Sequence, residues 1–349
     1  MDYANYISHC IEIARRGEYY VAPNPMVGAV LVRNSDETIL AEGWHEKYGE
    51  GHAEVNCFRN YELRIKNGEL NDVSLKDCTL FVSLEPCSHY GKTPPCAKLI
   101  IEKGVGRVVV GMLDPNPLVA GRGIQMLRDA GIEVVVGVME KECRELNKRF
   151  LCLHEKHRPY VVLKWAQTAD GFVDRKRSFE DLKIQRFEDC HLNGALAIST
   201  PETKKLVHKM RAENMAIMVG TRTVLLDNPR LLNTHWEGRN PIRVTLDRHG
   251  VLPPDSRIFS DEAPTIVYRD NTEWPFILSD LAQRNIHSIL VEGGTTLLNH
   301  ILKTGLWDEA HIEVAPEMTI GDGVAAPSIQ LPATYDTVDG RHLYTLLNQ

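Results

Sequence analysis

A chain of 349 residues is longer than one ordinary hydrophobic core, so two domains are expected. Charged residues make up 25% and hydrophobic residues 43%, a globular composition that argues against bulk disorder. The formal charge of −7 leaves no basic footprint, which speaks against nucleic acid or an anionic membrane as partner, and no apolar stretch approaches the span of a bilayer.

The opening "MDYANYISHCIEIARRGEYY" lacks the basic start and apolar run of a signal peptide, so a cytoplasmic protein is expected. An amphipathic helix over about 3–16 leads into "PNPMVGAVLVR" and "TILAEGWH", apolar runs that flank the turn "NSDE" and read as a hairpin. A helix follows from about His52. Strand "CTLFVSLE", helix "CAKLIIEKG", strand "RVVVGML", helix "GIQMLRDAG" and strand "IEVVVGV" then alternate, the pattern of parallel βαβ units with helices covering the sheet. Gly104 and Gly131 close those helices as C′ residues. "MEKECRELNKRFLCLHEKHRP" reads as one last helix running into a linker at Pro159. A second α/β run follows: "YVVLKWA", a helix from "TPETKKLVHKMR", "AIMVG", "IRVTLD", "TIVYR", a helix near 276–285, "SILVEGG", "TLLNHILKTG" and "EAHIEVAP". The segment between Asp174 and Leu196 is charged and irregular, and the tail beyond about Pro327 is weakly patterned.

The eight cysteines are Cys10, Cys57, Cys78, Cys87, Cys96, Cys143, Cys152 and Cys190. In a long cytosolic chain they are expected as buried thiols or metal ligands rather than disulfides. Cys87 and Cys96 stand apart because each directly follows a proline.

The first chemical constellation is "HAE" at 52–54 with "PCSHYGKTPPC" at 86–96. The arrangement H-x-E…P-C-x-x-C is the signature of zinc deaminases. One imidazole and two thiolates leave a tetrahedral zinc with an open position for water. Glu54 need not ligate; it can take a proton from that water and deliver it to a leaving amine. Residues two apart do not face each other in the body of a helix, so His52 and Glu54 are expected to meet at a helix N-terminus. Pro86 places Cys87 just past a strand's carboxyl end, and Pro95 as the first helical residue puts Cys96 at the start of the next helix. Eight residues, rather than two, separate these cysteines, so the loop between them is expected to project over the metal and offer His89, Lys92 and Thr93 to a substrate. The competing reading is a structural zinc, but such sites usually carry four protein ligands and no idle carboxylate. His9, His154 and His157 have no comparable context and read as surface or satisfied histidines.

The second constellation is "SILVEGGTTLLNHIL", which reads strand, glycine pair, helix. Gly293 and Gly294 let backbone approach a phosphate, and the helix start at Thr295 and Thr296 supplies N–H donors. The G-x-G-x-x-G fingerprint is missing, which disfavours a Rossmann domain. "AIMVGTRTVLLDNP" is a second strand-to-glycine turn, ending in Asp227.

The chain resembles the bifunctional diaminohydroxyphosphoribosylaminopyrimidine deaminase/5-amino-6-(5-phosphoribosylamino)uracil reductases of riboflavin biosynthesis. The residues that carry the likeness are "PNPMVGAVLV", "GWHEKYGEGHAEVNC", "EPCSHYGKTPPC", "DPNP", "RPYVVLKWAQTADG", "LVHKMRAE", "LDNPRL" and "VEGGTTL", spread over nearly the whole chain. The resemblance implies an α/β protein. A cytidine-deaminase-like α/β/α domain would occupy 1–150 and a dihydrofolate-reductase-like α/β domain 158–349. It implies one zinc per chain on His52, Cys87 and Cys96, Glu54 as proton shuttle, and loss of the pyrimidine 2-amino group as ammonia. Reduction of the ribosyl group to ribityl by NADPH would follow.

By the same likeness Asn24, His45, His89, Lys92, Asp114 and Asn116 would hold the deaminase substrate, although Asn24 and Asn116, each before a proline, are also readable as turn residues. Lys164, Arg211, Leu231 and Glu292 would line the reductase substrate. Ala166, Thr223, Asp227, Gly294, Thr295, Thr296, Leu297 and Leu298 would meet NADPH. Arg211 has a physical case as a phosphate fork and an alternative as a surface guanidinium. The departures fall in the second half: Ala197 and Ser199 stand where the family usually has tryptophan and threonine, and Thr234 where it usually has arginine. Losing an aromatic wall and a phosphate ligand implies a weaker reductase or an altered hold on its cofactor.

The partner expected is a small phosphorylated pyrimidine, without nucleic acid or membrane, and a homo-oligomer is allowed. Competing readings are a nucleobase deaminase acting on RNA, a deaminase with an inactive reductase-like domain, and a zinc-stabilised binding protein. The negative charge argues against RNA and Glu54 argues against a mere binder.

Overall fold

The structure, a computed structural model, describes residues 1–90, 94–115, 120–176 and 196–348. The chain divides into two compact units, Met1–His157 and Arg158–Gln349.

In the first unit the elements run α1 (Tyr3–Ala14), β1 (Gly28–Arg33), β2 (Ile39–Trp44), α2 (Ala53–Lys66), β3 (Cys78–Leu84), α3 (Cys96–Lys103), β4 (Arg107–Met112), α4 (Arg122–Asp129), β5 (Glu133–Val136), α5 (Glu140–Leu146) and α6 (Lys148–Lys156). The sheet order is β2-β1-β3-β4-β5, with β1 and β2 an antiparallel hairpin and β3, β4 and β5 parallel. Alternation along the strands sends Leu31, Leu80, Val82, Val108 and Val110 to a core with residues of α2, α3 and α4. It sends Val30, Val32, Phe81 and Val109 to the opposite core, with residues of α1, α5 and α6. These are the three layers expected. Apolar burial on both faces leaves the strand ends as the place for chemistry.

The single last helix expected from the sequence is instead two. It breaks at Asn147, a buried residue whose amide accepts from the Met26 N–H (2.8 Å) and donates to the Met26 carbonyl (2.9 Å). Satisfying that side chain outweighs continuing the helix, and the Asn147 backbone leaves helical geometry at φ −109° and ψ 21°.

The second unit runs β6 (Tyr160–Thr168), β7 (Phe172–Asp174), α7 (Pro201–Glu213), β8 (Ala216–Val219), α8 (Thr221–Asp227), β9 (Ile242–Leu246), β10 (Thr265–Tyr268), α9 (Trp274–Gln283), β11 (Ser288–Glu292), α10 (Thr295–Thr304), β12 (Glu309–Ala315), β13 (Val324–Ala325), β14 (Asp336–Val338) and β15 (Arg341–Leu347). Eight strands form one mixed sheet in the order β10-β9-β8-β11-β6-β12-β15-β14. Leu163, Trp165, Val244, Ile289, Val291, Ile312 and Val314 pack on Trp274, Ile277, Leu281, Leu298 and Ile301. The residues between them, Lys164, Glu292, His311 and Glu313, therefore face the other way. Parallel register sets Lys164 between Glu292 on β11 and His311 on β12.

Five elements exceed what the sequence suggested: the short antiparallel pair β7 and β13, the short β14, α8 and β15. α8 occupies the stretch read only as a glycine turn, and β15 lies in the tail read as weakly patterned. β15 pairs along β12 from Glu309↔Leu347 to Val314↔His342, yet none of its side chains is fully buried, so no strong alternation marks it. Most of the irregular segment after Asp174, including Cys190, lies outside the described residues. The other cysteines are free thiols, and among the described residues no helix is long and apolar enough to cross a membrane.

Candidate active sites

Three strand-to-helix turns build the first site. β3 is buried at each position and delivers Glu85 and Pro86, with Cys87 just beyond. Cys96 opens α3, as expected, although Pro95 is the N-cap and not the first helical residue. The Cys96 N–H donates to Cys87 Sγ (3.3 Å), and the Ala97 N–H to the Cys87 carbonyl (3.1 Å). His52 is the N-cap of α2 in extended geometry, which swings its ring off the helix, while Glu54 follows within the first turn.

His52 Nδ1 lies 3.4 Å from Cys96 Sγ and 3.7 Å from Cys87 Sγ. Tetrahedral zinc with bonds of about 2.3 Å to sulfur and 2.0 Å to nitrogen sets those atoms about 3.5 Å apart. The donor set, one imidazole and two thiols within 4.8 Å of one another, fits that ion. Three ligands suit a working site better than a closed structural one.

Electrostatics supports metal-ready sulfur. The Cys87 thiol is brought down to about 4 by the hydrogen bond from Cys96 and then by His52. That same bond holds Cys96 up, so the first proton leaves Cys87. Hydrogen bonding to Cys87 raises His52. Glu54 is only 3% exposed, and burial pushes its carboxyl up.

His45 stands beside this tripod, its ring 5.5 Å from that of His52 and nearly perpendicular. Its Nδ1 lies 3.0 Å from the Gly51 carbonyl and its Nε2 3.1 Å from Asn24 Nδ2. The network assigns the proton to Nδ1, with Asn24 donating to Nε2. Asn24 is thus more than a turn residue. Asp114 follows β4, which pairs in register with β3 at Leu84↔Met112. His89 is exposed on the loop after Cys87, while Lys92, Thr93 and Asn116 lie outside the described residues.

The second site is a cavity of about 1170 Å³ at the carboxyl ends of β8, β9 and β11, and Lys164, Ala166, Thr223, Asp227, Glu292 and Gly293 to Leu298 line it together with the apolar Trp165, Trp274 and Ile277. Arg211 and Leu231 do not line it. Arg211 reaches it through Glu292, with Nε–Oε1 2.8 Å and Nη2–Oε2 2.7 Å, and donates from Nη1 to the Leu232 carbonyl (2.9 Å). Leu231 is buried at φ 54°, turning the chain just before the Leu232 carbonyl that Arg211 grips. Burial lowers Lys164, against the opposing pull of Glu292 and Glu313.

Gly293 (φ 96°) and Gly294 (φ 77°) lead into α10, and a Cβ on Gly293 would meet nothing within 4 Å. Thr295 Oγ1 is buried there without a hydrogen-bond partner. Open backbone and an unspent hydroxyl at a helix start fit a cofactor phosphate.

Glu313 was missed from sequence. It is buried and accepts from Ser199 Oγ (2.6 Å) and Thr203 Oγ1 (2.7 Å), so Ser199 keeps a bonded hydroxyl at the position of the family's threonine. The charge inside "EAHIEVAP" was the available signal. His208 also escaped notice: its Nδ1 accepts from the Thr234 N–H (3.0 Å), its ring stands 4.7 Å from His235, and burial with Arg211 and His235 holds it down to about 4.

Comparison with known proteins finds a match for each of the two units. Residues 1–112 match the cytidine and deoxycytidylate deaminase zinc-binding region, and residues 159–336 the RibD C-terminal domain. The riboflavin biosynthesis protein RibD of Aquifex aeolicus is 36% identical over 92% of this chain and 88% of its own. That of Bacillus amyloliquefaciens is 38% identical over 93% and 86%. A crystal structure of a diaminohydroxyphosphoribosylaminopyrimidine deaminase/5-amino-6-(5-phosphoribosylamino)uracil reductase from Thermotoga maritima superposes with a TM-score of 0.83 at 35% identity, covering 99% of this chain and 98% of that one. These matches favour the two-step enzyme over an RNA-directed deaminase. Identity of this extent over both halves, in one chain order, places the protein in the RibD family of bifunctional riboflavin-biosynthesis deaminase–reductases.

Proposed function

We propose that His52, Cys87 and Cys96 hold the zinc of the deaminase and that Glu54 moves its protons. The substrate is 2,5-diamino-6-ribosylamino-4(3H)-pyrimidinone 5′-phosphate, whose ribosyl group the second unit then reduces with NADPH. Bound zinc supplies Lewis acidity that makes water nucleophilic near neutral pH. The Glu54 carboxylate takes a proton from the attacking water and returns it to the departing 2-amino nitrogen. A C–O bond forms, the C–N bond breaks and ammonia leaves. His45 and Asn24, held to each other, present a fixed polar edge to the ring, and Asp114, at the exit of β4, meets the same substrate.

In the second unit Thr295 Oγ1 and the backbone of Gly294 to Leu298 take cofactor phosphate, with Ala166, Thr223 and Asp227 along the cavity. Bound NADPH supplies the reducing equivalents. Lys164 and Glu292 meet the substrate, Arg211 holds Glu292 in place, and Leu231 sets the Arg211 contact. The domain limits 1–150 and 158–349 and a cytoplasmic location belong to the same reading, as does a small-molecule partner without nucleic acid.

The observation that carries the proposal is the tripod, with His52 Nδ1 3.4 and 3.7 Å from the two sulfurs and Glu54 buried in the same turn. Purified chain given the diaminopyrimidine ribosyl phosphate should exchange an amine for oxygen, and add hydrogen to the sugar only when NADPH is present. Mass spectrometry reads both steps, and recovery of unchanged substrate rejects the proposal.

A further inference from the structure

Glu85 separates the last buried position of β3 from Pro86 and Cys87, and the chemistry above does not use it. Its side chain is 4% exposed, and both oxygens are fully engaged by backbone. Oε2 accepts from the N–H groups of Asp114 (3.2 Å) and Gly121 (3.0 Å). Oε1 accepts from those of Gly123 (2.9 Å) and Ile124 (3.3 Å). The Glu85 N–H itself donates to the Met112 carbonyl at the end of β4 (2.9 Å). One side chain thus ties the exit of β4, where Asp114 stands, to the first turn of α4.

Only a carboxylate suits this place. It accepts at both oxygens and donates at neither, whereas an amide would turn its own N–H groups against two of the four donors. The start of α4 is also pressed against the metal-bearing turn: a Cβ on Gly123 would stand 2.0 Å from the Pro86 carbonyl oxygen and 3.2 Å from Glu85 Oε1. The turn that supplies the ligand Cys87 therefore also carries the anchor for Asp114.

The geometry points to Glu85 as a positioning residue of the deaminase, which fixes Asp114 relative to Cys87 so that substrate and metal are presented to each other in register. This rests on the reading of Asp114 as a substrate contact. Ammonia release is measured on the full chain for Glu85→Gln, Glu85→Asp, Asp114→Ala and the double variant Glu85→Gln/Asp114→Ala, with zinc content determined for each. Glu85→Gln should raise KM roughly tenfold or more with zinc still stoichiometric. Glu85→Asp should fall between it and the parent, and the double variant should be no worse than Asp114→Ala. Unchanged KM in Glu85→Gln, while Asp114→Ala raises it, overturns the positioning role alone. Loss of zinc in Glu85→Gln makes the residue structural and overturns it as well. Unchanged KM in Asp114→Ala removes Asp114 from the site, and the inference falls with that reading.

Discussion

In the five-stranded sheet β3 is buried along its whole length, whereas in the eight-stranded sheet the alternate positions of β6, β11 and β12 carry Lys164, Glu292, His311 and Glu313. Helices cover both faces of the first sheet with apolar side chains, so its polar chemistry is confined to the strand ends. There the chain turns, and short segments bring an imidazole, two thiols and a buried carboxyl together. In the second sheet the site draws on both faces, on Lys164 and Glu292 from the polar one and on Trp165, Trp274 and Ile277 from the core. Charge on that sheet is satisfied from outside it, as Arg211 of α7 does for Glu292 of β11 at 2.7 and 2.8 Å. Metal ligands pre-aimed at an ion should tolerate loss of a proton shuttle. A face built on paired charges should not tolerate loss of one partner.

Glu54→Gln tests the first half of that contrast. Ammonia release should drop by about 10²- to 10⁴-fold, while zinc stays at one per chain and the reductase step is untouched. Elemental analysis beside the activity assay decides it, since metal loss would mean that Glu54 supports the site's structure. Arg211→Met tests the second half. It leaves the Glu292 carboxylate without its hydrogen-bonded partner and with Lys164 as its remaining close cation, so the second unit should lose about 3–5 kcal/mol. Adding Glu292→Gln to that variant should restore part of the loss, measured by thermal unfolding. Equal loss in the single and double variants would mean that the pair is not the source.

The same contrast explains what the sequence disclosed. His52, Glu54, Cys87 and Cys96 were legible because each sits in a short motif whose spacing is a turn: H-A-E at an N-cap, P-C at a strand end and P-P-C at a helix start. Gly293 to Thr296 were legible for the same reason. Glu313 and His208 were not, because each is a single polar residue within an amphipathic element and its partners lie far along the chain, Ser199 at 114 residues from Glu313. Arg211 and Glu292, 81 residues apart, came only with the family likeness. Asn147 was read as helix because its reason for leaving the helix is Met26, 121 residues earlier. β15 was invisible because its side chains are only partly covered, so partner β12 and not its own pattern makes it a strand.

The cofactor cradle offers a gentler test than a broken ion pair. Thr295→Val removes a hydroxyl that has no partner in the apo chain, so apo stability should hold or rise slightly. Saturating NADPH at a hundred times its dissociation constant should protect the parent by about 2.7 kcal/mol, and the variant by less at the same concentration. Gly294→Val should remove protection altogether, because φ 77° strains any side chain and the new group would crowd Thr223 Oγ1 at 3.4 Å. Equal NADPH protection in all three chains would empty the cradle of its role.

Acid provides the finest resolution of the polar face, since two of its groups titrate in different windows. Burial, Arg211 and His235 hold His208 down to about 4, so between the ordinary histidine range near 6.5 and that value the unfolded chain binds the extra proton. Stability of the second unit should therefore fall as pH drops through this window. Arg211 holds Glu292 below the ordinary glutamate range despite burial, so its contribution is whole above about 4.3 and fades as pH falls further. One such proton contributes a slope of at most about 1.4 kcal/mol per pH unit. His208→Asn should flatten the upper window and leave the lower, whereas the Arg211→Met/Glu292→Gln double variant should remove the lower slope. Unfolding curves of the parent and both variants between pH 7 and pH 3 separate the two. A parent curve flat through the upper window would mean that His208 titrates as freely in the folded chain as in the unfolded one.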